Sequence, residues 1–195
     1  MSEHFNVLIV GAGISGIGSA YHLKQQCPDK SFIVLEALES FGGTWFMHTY
    51  PGVRSDSDLY TFGYRFKPWR GPPIASAQEI RDYMGEVIEK NDLARHIRYK
   101  HNIVGASFSR ETNLWTVEVE QTDTLRKLSF TCNFLWMCQG YYRHAEGYTP
   151  DWPGMKDYKG RLVHPQTWPK DLDLKDKEVL VMGSGDCDGR AGHRQ

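Results

Sequence analysis

Hydrophobic positions along the chain follow two regimes. In the first, apolar residues come in short continuous runs, Val7-Leu8-Ile9-Val10 and Phe32–Leu35, each bounded by polar or turn residues. Such runs suit strands buried on both faces of a parallel sheet. Between them a helix-like stretch begins near Ile14 and continues to Gln26. A second helix is predicted over 76–96. Ile80, Tyr83, Met84, Val87 and Ile88 form its apolar stripe, with Ser76 as cap and Glu79 as capping-box partner. From Ile97 the period changes to two, and strands are expected at 103–109, 115–121, 126–131 and 133–138. Trp115, Val117 and Val119 alternate with Thr116, Glu118 and Glu120, as in a half-exposed antiparallel meander. Phe134-Leu135-Trp136-Met137-Cys138 is continuously apolar and predicts a buried parallel strand returning to the sheet. Gln139-Gly140 follows as a turn, where the glycine suits either a plain turn or close approach to a ligand. A last strand is expected at 178–182.

The junction of the first strand and helix carries the candidate chemistry. Gly11-Ala12-Gly13-Ile14-Ser15-Gly16 has the G-x-G-x-x-G spacing, with a strand before it and a helix after it. Gly11 permits the tight turn, Gly13 a close approach to a pyrophosphate, and Gly16 close packing of helix on strand. The pyrophosphate would meet the free amides and positive end of the helix, where Ser15 adds a hydroxyl. Twenty residues past Gly16, the second apolar run ends on Glu36, placed to accept hydrogen bonds from ribose hydroxyls and to repel a 2′-phosphate. This first site is therefore expected to take FAD or NAD rather than NADP.

After Glu36 comes a long stretch of weak periodicity. It holds Phe41-Gly42-Gly43-Thr44-Trp45 and Tyr50-Pro51-Gly52-Val53-Arg54-Ser55-Asp56. Loops of that length in a compact domain tend to be functional. Pro150, Pro153 and Gly154 suit a linker, and beyond it the expected strand leads into Gly183-Ser184-Gly185, the opening of a second nucleotide turn. The fold class is accordingly α/β. A Rossmann-like domain of parallel sheet plus antiparallel meander is expected over 1–147, with a linker and the start of a second Rossmann-like domain over 148–195. Two dinucleotide sites suggest hydride passing from nicotinamide to flavin.

Composition narrows this only slightly. In 195 residues, 40% are hydrophobic, including six Trp, ten Tyr and nine Phe, enough for a substantial core. A formal net charge of −1 gives no reason to expect nucleic acid, and no basic run suggests a membrane surface. The four cysteines, at 27, 132, 138 and 187, show neither C-x-x-C nor C-x-x-x-x-C spacing, so zinc and a redox pair are not indicated. Reduced thiols in a cytoplasmic protein fit better, with peripheral membrane association left open. The apolar stretch 5–20 resembles a signal-peptide core but lacks a basic leader and carries Glu3, so it is expected to be a buried strand and helix. No stretch is long and apolar enough to span a bilayer.

Over residues 1–185 these motifs resemble the flavin-containing monooxygenases of the Baeyer–Villiger type. The likeness rests on the first glycine turn, Gly42-Gly43-Thr44-Trp45, the segment from Tyr50 to Asp58, and the signature F-x-G-x-x-x-H-x-x-x-W-P. That signature is met at Gly160, His164, Trp168 and Pro169, with Tyr158 in the phenylalanine's place. The resemblance implies FAD contacts from Gly11, Gly13, Ser15, Gly16, Glu36, Thr44, Trp45, Phe46, Met47, Asp56 and Val104. It places Arg54, Ser55 and Asp56 at the flavin–nicotinamide junction and starts the NADP turn at Gly183, Ser184 and Gly185. It further implies that NADPH reduces FAD, that oxygen is trapped as a flavin C4a-peroxide, and that a ketone, sulfide or thioamide is oxygenated. His164 would couple domain movement to the cycle. Metal sites and nucleic-acid partners are not implied, and oligomeric state is not indicated. A disulfide reductase shares the first turn but would need the absent cysteine pair; a non-catalytic FAD-binding fragment is the other alternative.

The tail departs from that pattern. Asp188 stands at the third-glycine position of the second turn, where a carboxylate would repel phosphate, and no helical periodicity follows. A frame shift at the Gly185 codon would convert the tail to small and apolar residues, so an inactive truncated or frameshifted fragment is expected. Such a chain would expose apolar faces and hold FAD weakly or not at all.

Overall fold

The computed structural model describes residues 2–183. Strand β1 (Glu3–Val10) feeds helix α1 (Ile14–Gln26), which returns to β2 (Phe32–Leu35). Two one-turn helices, α2 (Thr44–Met47) and α3 (Leu59–Phe62), precede α4 (Ala77–Lys90). Strands β3 (Ile97–Arg98), β4 (His101–Ser109), β5 (Leu114–Gln121) and β6 (Lys127–Met137) complete the regular structure, in the sheet order β3-β2-β1-β6-β5-β4. β3, β2, β1 and β6 run parallel, whereas β4, β5 and β6 form the antiparallel meander expected from their alternation.

β1 shows why the parallel strands are apolar throughout: its side chains alternate between two cores. Val7 and Ile9 face α1 and α4, joining Ile17, Ala20, Phe32, Val34, Ile80, Met84 and Val87. Leu8 faces the other way, with Ile33 and Leu35, against Val117, Val119, Phe130 and Cys132 of the meander. The parallel strands are thus sandwiched between helices and meander. The N-terminal apolar run is the buried strand and helix expected, with Leu8, Ile9, Ala12, Ile17 and Ala20 fully enclosed.

Several boundaries differ from the sequence expectation, each for an identifiable reason. The helix over 76–96 ends at Lys90. There Asn91 donates from its side chain to the Val87 carbonyl and Asp92 takes φ +48°, after which only a single 3-10 turn, Ala94–His96, remains. The strands expected at 126–131 and 133–138 are one eleven-residue strand. Cys132 carries it through because it pairs with Phe5 on one side and Trp115 on the other. Its final residues are parallel to β1 as expected, but they are not buried: Phe134 is 57% and Met137 55% exposed. Leu135, between them, still packs against the meander-side core.

The strand expected at 178–182 is absent among the described residues. Leu180 is 82% exposed there, and no described strand offers it a ladder partner. In the long 37–75 stretch, α3 owes its start to Asp58, whose carboxylate accepts from the amides of Tyr60 and Thr61. No described helix is long and apolar enough to cross a membrane.

At the start of α4 the capping box is complete. The Ser76 hydroxyl accepts from the Glu79 amide, and the Glu79 carboxylate accepts from the Ser76 amide at 2.7 Å. Ser76→Ala is expected to lower stability by about 1 kcal/mol, read as a lower urea midpoint at unchanged slope.

Candidate functional site: a dinucleotide cradle

The turn after β1 is built by exclusion of side chains. Gly11 has φ +96°, and a Cβ on it would lie 2.8 Å from the Cys138 carbonyl oxygen. A Cβ on Gly16 would overlap the carbonyl oxygen of Gly11, so α1 crosses the strand end closer than any side chain allows. Gly13, the N-cap of α1, has open space where its Cβ would stand, and no side chain caps the first amides of the helix. The two outer glycines therefore close the turn, and the middle one leaves an open seat over a positive helix end. Ser15 is exposed beside that seat.

Glu36 lies behind it, only 5% exposed. One carboxylate oxygen accepts from the Ala12 amide at 2.7 Å and the other from the Leu38 amide at 2.9 Å. A buried carboxylate needs such donors, and two backbone amides supply them. The same carboxylate thus fixes the glycine turn and the strand end beneath it. The sequence gives no hint of this second task, because a backbone amide carries no side-chain signature.

The Gly42-Gly43 segment folds onto this turn. Gly42 donates to the Ala12 carbonyl at 3.0 Å, and a Cβ on Gly43 would stand 3.4 Å from Gly13 Cα. Thr44, Trp45, Phe46 and Met47, all of α2, are held next to it. Trp45 meets the Phe62 ring edge-on, while the Arg81 guanidinium sits 4.9 Å from the Phe46 ring centre. The meander reaches the same corner. The His101 amide donates to the Glu36 carbonyl and the Lys100 amide to that of Leu38. Three residues on, Val104 is the extra residue where the β4–β5 register shifts, and it is 58% exposed. Bulges of this kind free a backbone segment from the ladder.

Arg54, Ser55 and Asp56 occupy a separate loop tied to the start of α4. Arg54 bridges to Ser76, and the Ser55 amide donates to the Ala75 carbonyl at 2.9 Å. Ser55 is buried with its hydroxyl donating to the Ser57 carbonyl, which gives it a structural task in the loop. Gly183 is exposed and outside any regular element, with φ +129°, while Ser184 and Gly185 lie outside the described residues. The structure therefore brings Gly11, Gly13, Ser15, Gly16, Glu36 and the 42–47 segment to one corner, with Val104 on the strand anchored there.

Tyr64 is a site residue that sequence reasoning missed. Its hydroxyl donates to the Ile14 carbonyl at 2.7 Å, and its ring fills the space beside Gly18. Burial pushes the phenol far above its ordinary range, so it remains a proton donor throughout. The partner lies fifty residues away, on a segment without periodicity, so no local pattern reports it.

Comparison with known proteins places this corner in context. Residues 9–87 match the model of an NAD(P)-binding Rossmann-like domain, and residues 66–192 match that of the flavin-binding monooxygenase-like proteins. The second match runs past Gly185 into the divergent tail. The FAD-containing monooxygenase EthA of Mycolicibacterium smegmatis is 47% identical over 186 residues, covering 95% of this chain and 37% of that protein. A steroid monooxygenase bound to NADP superposes with TM-score 0.70 at 28% identity, over 86% of this chain and 32% of the other. OTEMO in complex with FAD and NADP gives the same TM-score and identity, over 88% and 32%. The chain belongs to the flavin-binding monooxygenase-like family, and it spans somewhat over a third of the length of the curated relative it matches.

Gly16→Ala should force α1 off the strand end. A loss of about 1–3 kcal/mol is expected, the usual range for overpacking, whereas Gly13→Ala, with open space at its Cβ, should cost under about 1 kcal/mol. Urea unfolding of the two variants side by side checks the contrast.

Proposed function

We propose that residues 1–147 bind FAD and that 148–195 comprise a linker and the opening of an NADPH-binding domain, together forming part of a flavin-dependent monooxygenase. The observation that carries this reading is the pairing of an open, uncapped helix end at Gly13 with the buried carboxylate of Glu36. Gly11, Gly13, Ser15 and Gly16 would receive the pyrophosphate on backbone amides and one hydroxyl. Each Glu36 oxygen has accepted one amide bond and keeps a lone pair for a ribose hydroxyl. Its charge favours FAD over a 2′-phosphorylated nucleotide at this position. The freed backbone at Val104 would meet the adenine, and Thr44, Trp45, Phe46 and Met47 would line the cofactor where α2 lies against the turn. Arg54, Ser55 and Asp56 would face the junction with nicotinamide, and Gly183, Ser184 and Gly185 would begin the second pyrophosphate turn.

When bound, FAD reduced by NADPH supplies the activation of molecular oxygen and its transfer to a ketone, sulfide or thioamide. The chain's own part is to bind and orient the cofactor. The likeness to monooxygenases, together with the absence of a redox cysteine pair from the sequence, favours this over a disulfide reductase. The described cysteines Cys27, Cys132 and Cys138 are free thiols, which suits a cytoplasmic setting.

A second reading, a non-catalytic FAD-binding fragment, is favoured by one observation, the exposed apolar end of β6. Titration of FAD into the purified 195-residue chain, followed by flavin fluorescence and NADPH absorbance, separates the two. Weak FAD binding without NADPH consumption is expected, and Glu36→Ala should weaken it at least tenfold further, since it removes the ribose acceptors and strands two buried amides. A yellow protein that oxidises NADPH would refute the fragment reading; FAD affinity unaffected by Glu36→Ala would refute the site.

A further inference from the structure

The linker after β6 makes two passes over the same region, and one side chain ties them together. The Gln166 side-chain amide donates to the Arg143 carbonyl at 2.7 Å and to the His144 carbonyl at 3.0 Å. Its backbone amide donates to His164 Nδ1 at 3.1 Å, while the Thr167 amide donates to the His164 carbonyl. The imidazole in turn lies so close on Gly147 that a Cβ there would overlap the ring. Both passes then touch one loop of the first domain. Trp168 lies 6.5 Å, centre to centre, from Tyr50, and Tyr142 lies 5.9 Å from His48. Tyr50 is itself buried and begins the segment that carries Arg54, Ser55 and Asp56.

We propose that Gln166, at a variable position of the linker signature, is the positioning residue that clasps residues 143–147 to residues 164–168, so that the linker bears on the 48–56 loop as one unit. The chemistry is specific. A carboxamide offers two N–H donors, and here both meet successive backbone carbonyls that nothing else described engages. Gly147 is the complementary half, since any side chain would lift His164 and with it the acceptor for the Gln166 amide. The inference deepens the proposed function, because the loop it bears on is the one assigned to the flavin–nicotinamide junction. The clasp itself needs no cofactor, so its test is independent of whether FAD binds.

Trypsin reports the clasp directly. Cleavage after Arg143 requires the carbonyl that Gln166 holds, whereas cleavage after Lys156 or Lys159 does not. On the intact 195-residue chain, Gln166→Glu keeps the shape but removes both donors, and Gly147→Ala opens the clasp without touching Gln166. Each should raise cleavage after Arg143 about tenfold relative to the two lysine sites, the scale of losing two hydrogen bonds. Hydrogen exchange at the Val53 and Ser55 amides, which Gln166 does not contact, should accelerate in both variants, while exchange in β1 and β5 stays unchanged and certifies the fold. Unaltered cleavage after Arg143 overturns the clasp. Faster cleavage with unaltered exchange at residues 48–56 overturns its bearing on the loop. Accelerated exchange in β1 and β5 would assign the effect to general unfolding, and so also overturns it.

Discussion

The closeness of α1 to the end of β1 is the constraint on which the site depends. Gly16 rests against the Gly11 carbonyl with no room for a side chain between them. That contact fixes the angle at which the helix leaves the turn, and so where its free amides point. It also sets Ala12, whose amide reaches the Glu36 carboxylate and whose carbonyl receives Gly42. Three chain segments are thereby held by the two peptide groups of one alanine, a residue whose own side chain is merely buried. Rigidity of this kind is what a dinucleotide needs from its binder, because the receiving amides must be placed before the ligand arrives.

The sandwich explains how distant parts meet at this corner. The helices secure one face of β1 and β2 and the meander the other, so the loops at their carboxyl ends emerge between two packed layers. The meander enters at that end through His101 and Lys100, bonded to the carbonyls of Glu36 and Leu38. Its register shift at Val104 follows within a few residues. A turn, a carboxylate, a double-glycine segment and an irregular strand, remote in sequence, thus share one small volume.

Much of this was legible in the sequence, and the reason is local. Gly11, Gly13, Gly16 and Glu36 announce themselves because the steric demands they answer arise within a single strand–helix–strand unit. The capping box of Ser76 and Glu79 is likewise complete within four residues. What stayed hidden depends on partners far along the chain. Tyr64 reaches Ile14 across fifty residues, and Gln166 reaches Arg143 across twenty-three, each from a segment without periodicity. The apolar run at 134–138 misled for a related reason: its composition states what it is suited to meet, whereas exposure depends on whether any element is there to cover it. At 178–182 the ladder partner that a strand requires is missing among the described residues, and strand-like composition alone does not supply one.

The dual pairing of β6 has a consequence for how the molecule assembles. This strand joins β5, a near neighbour, and β1, about 127 residues upstream, through overlapping registers. The hairpin side forms from nearby chain, but the other side closes a very long loop, so the central seam of the sheet has high contact order and is slow to zip. During synthesis the first strand must wait, with its meander-facing row of apolar side chains uncovered, until β6 (Lys127–Met137) has emerged. That interval is when the nascent chain is most open to aggregation, and when a chaperone would do it the most good.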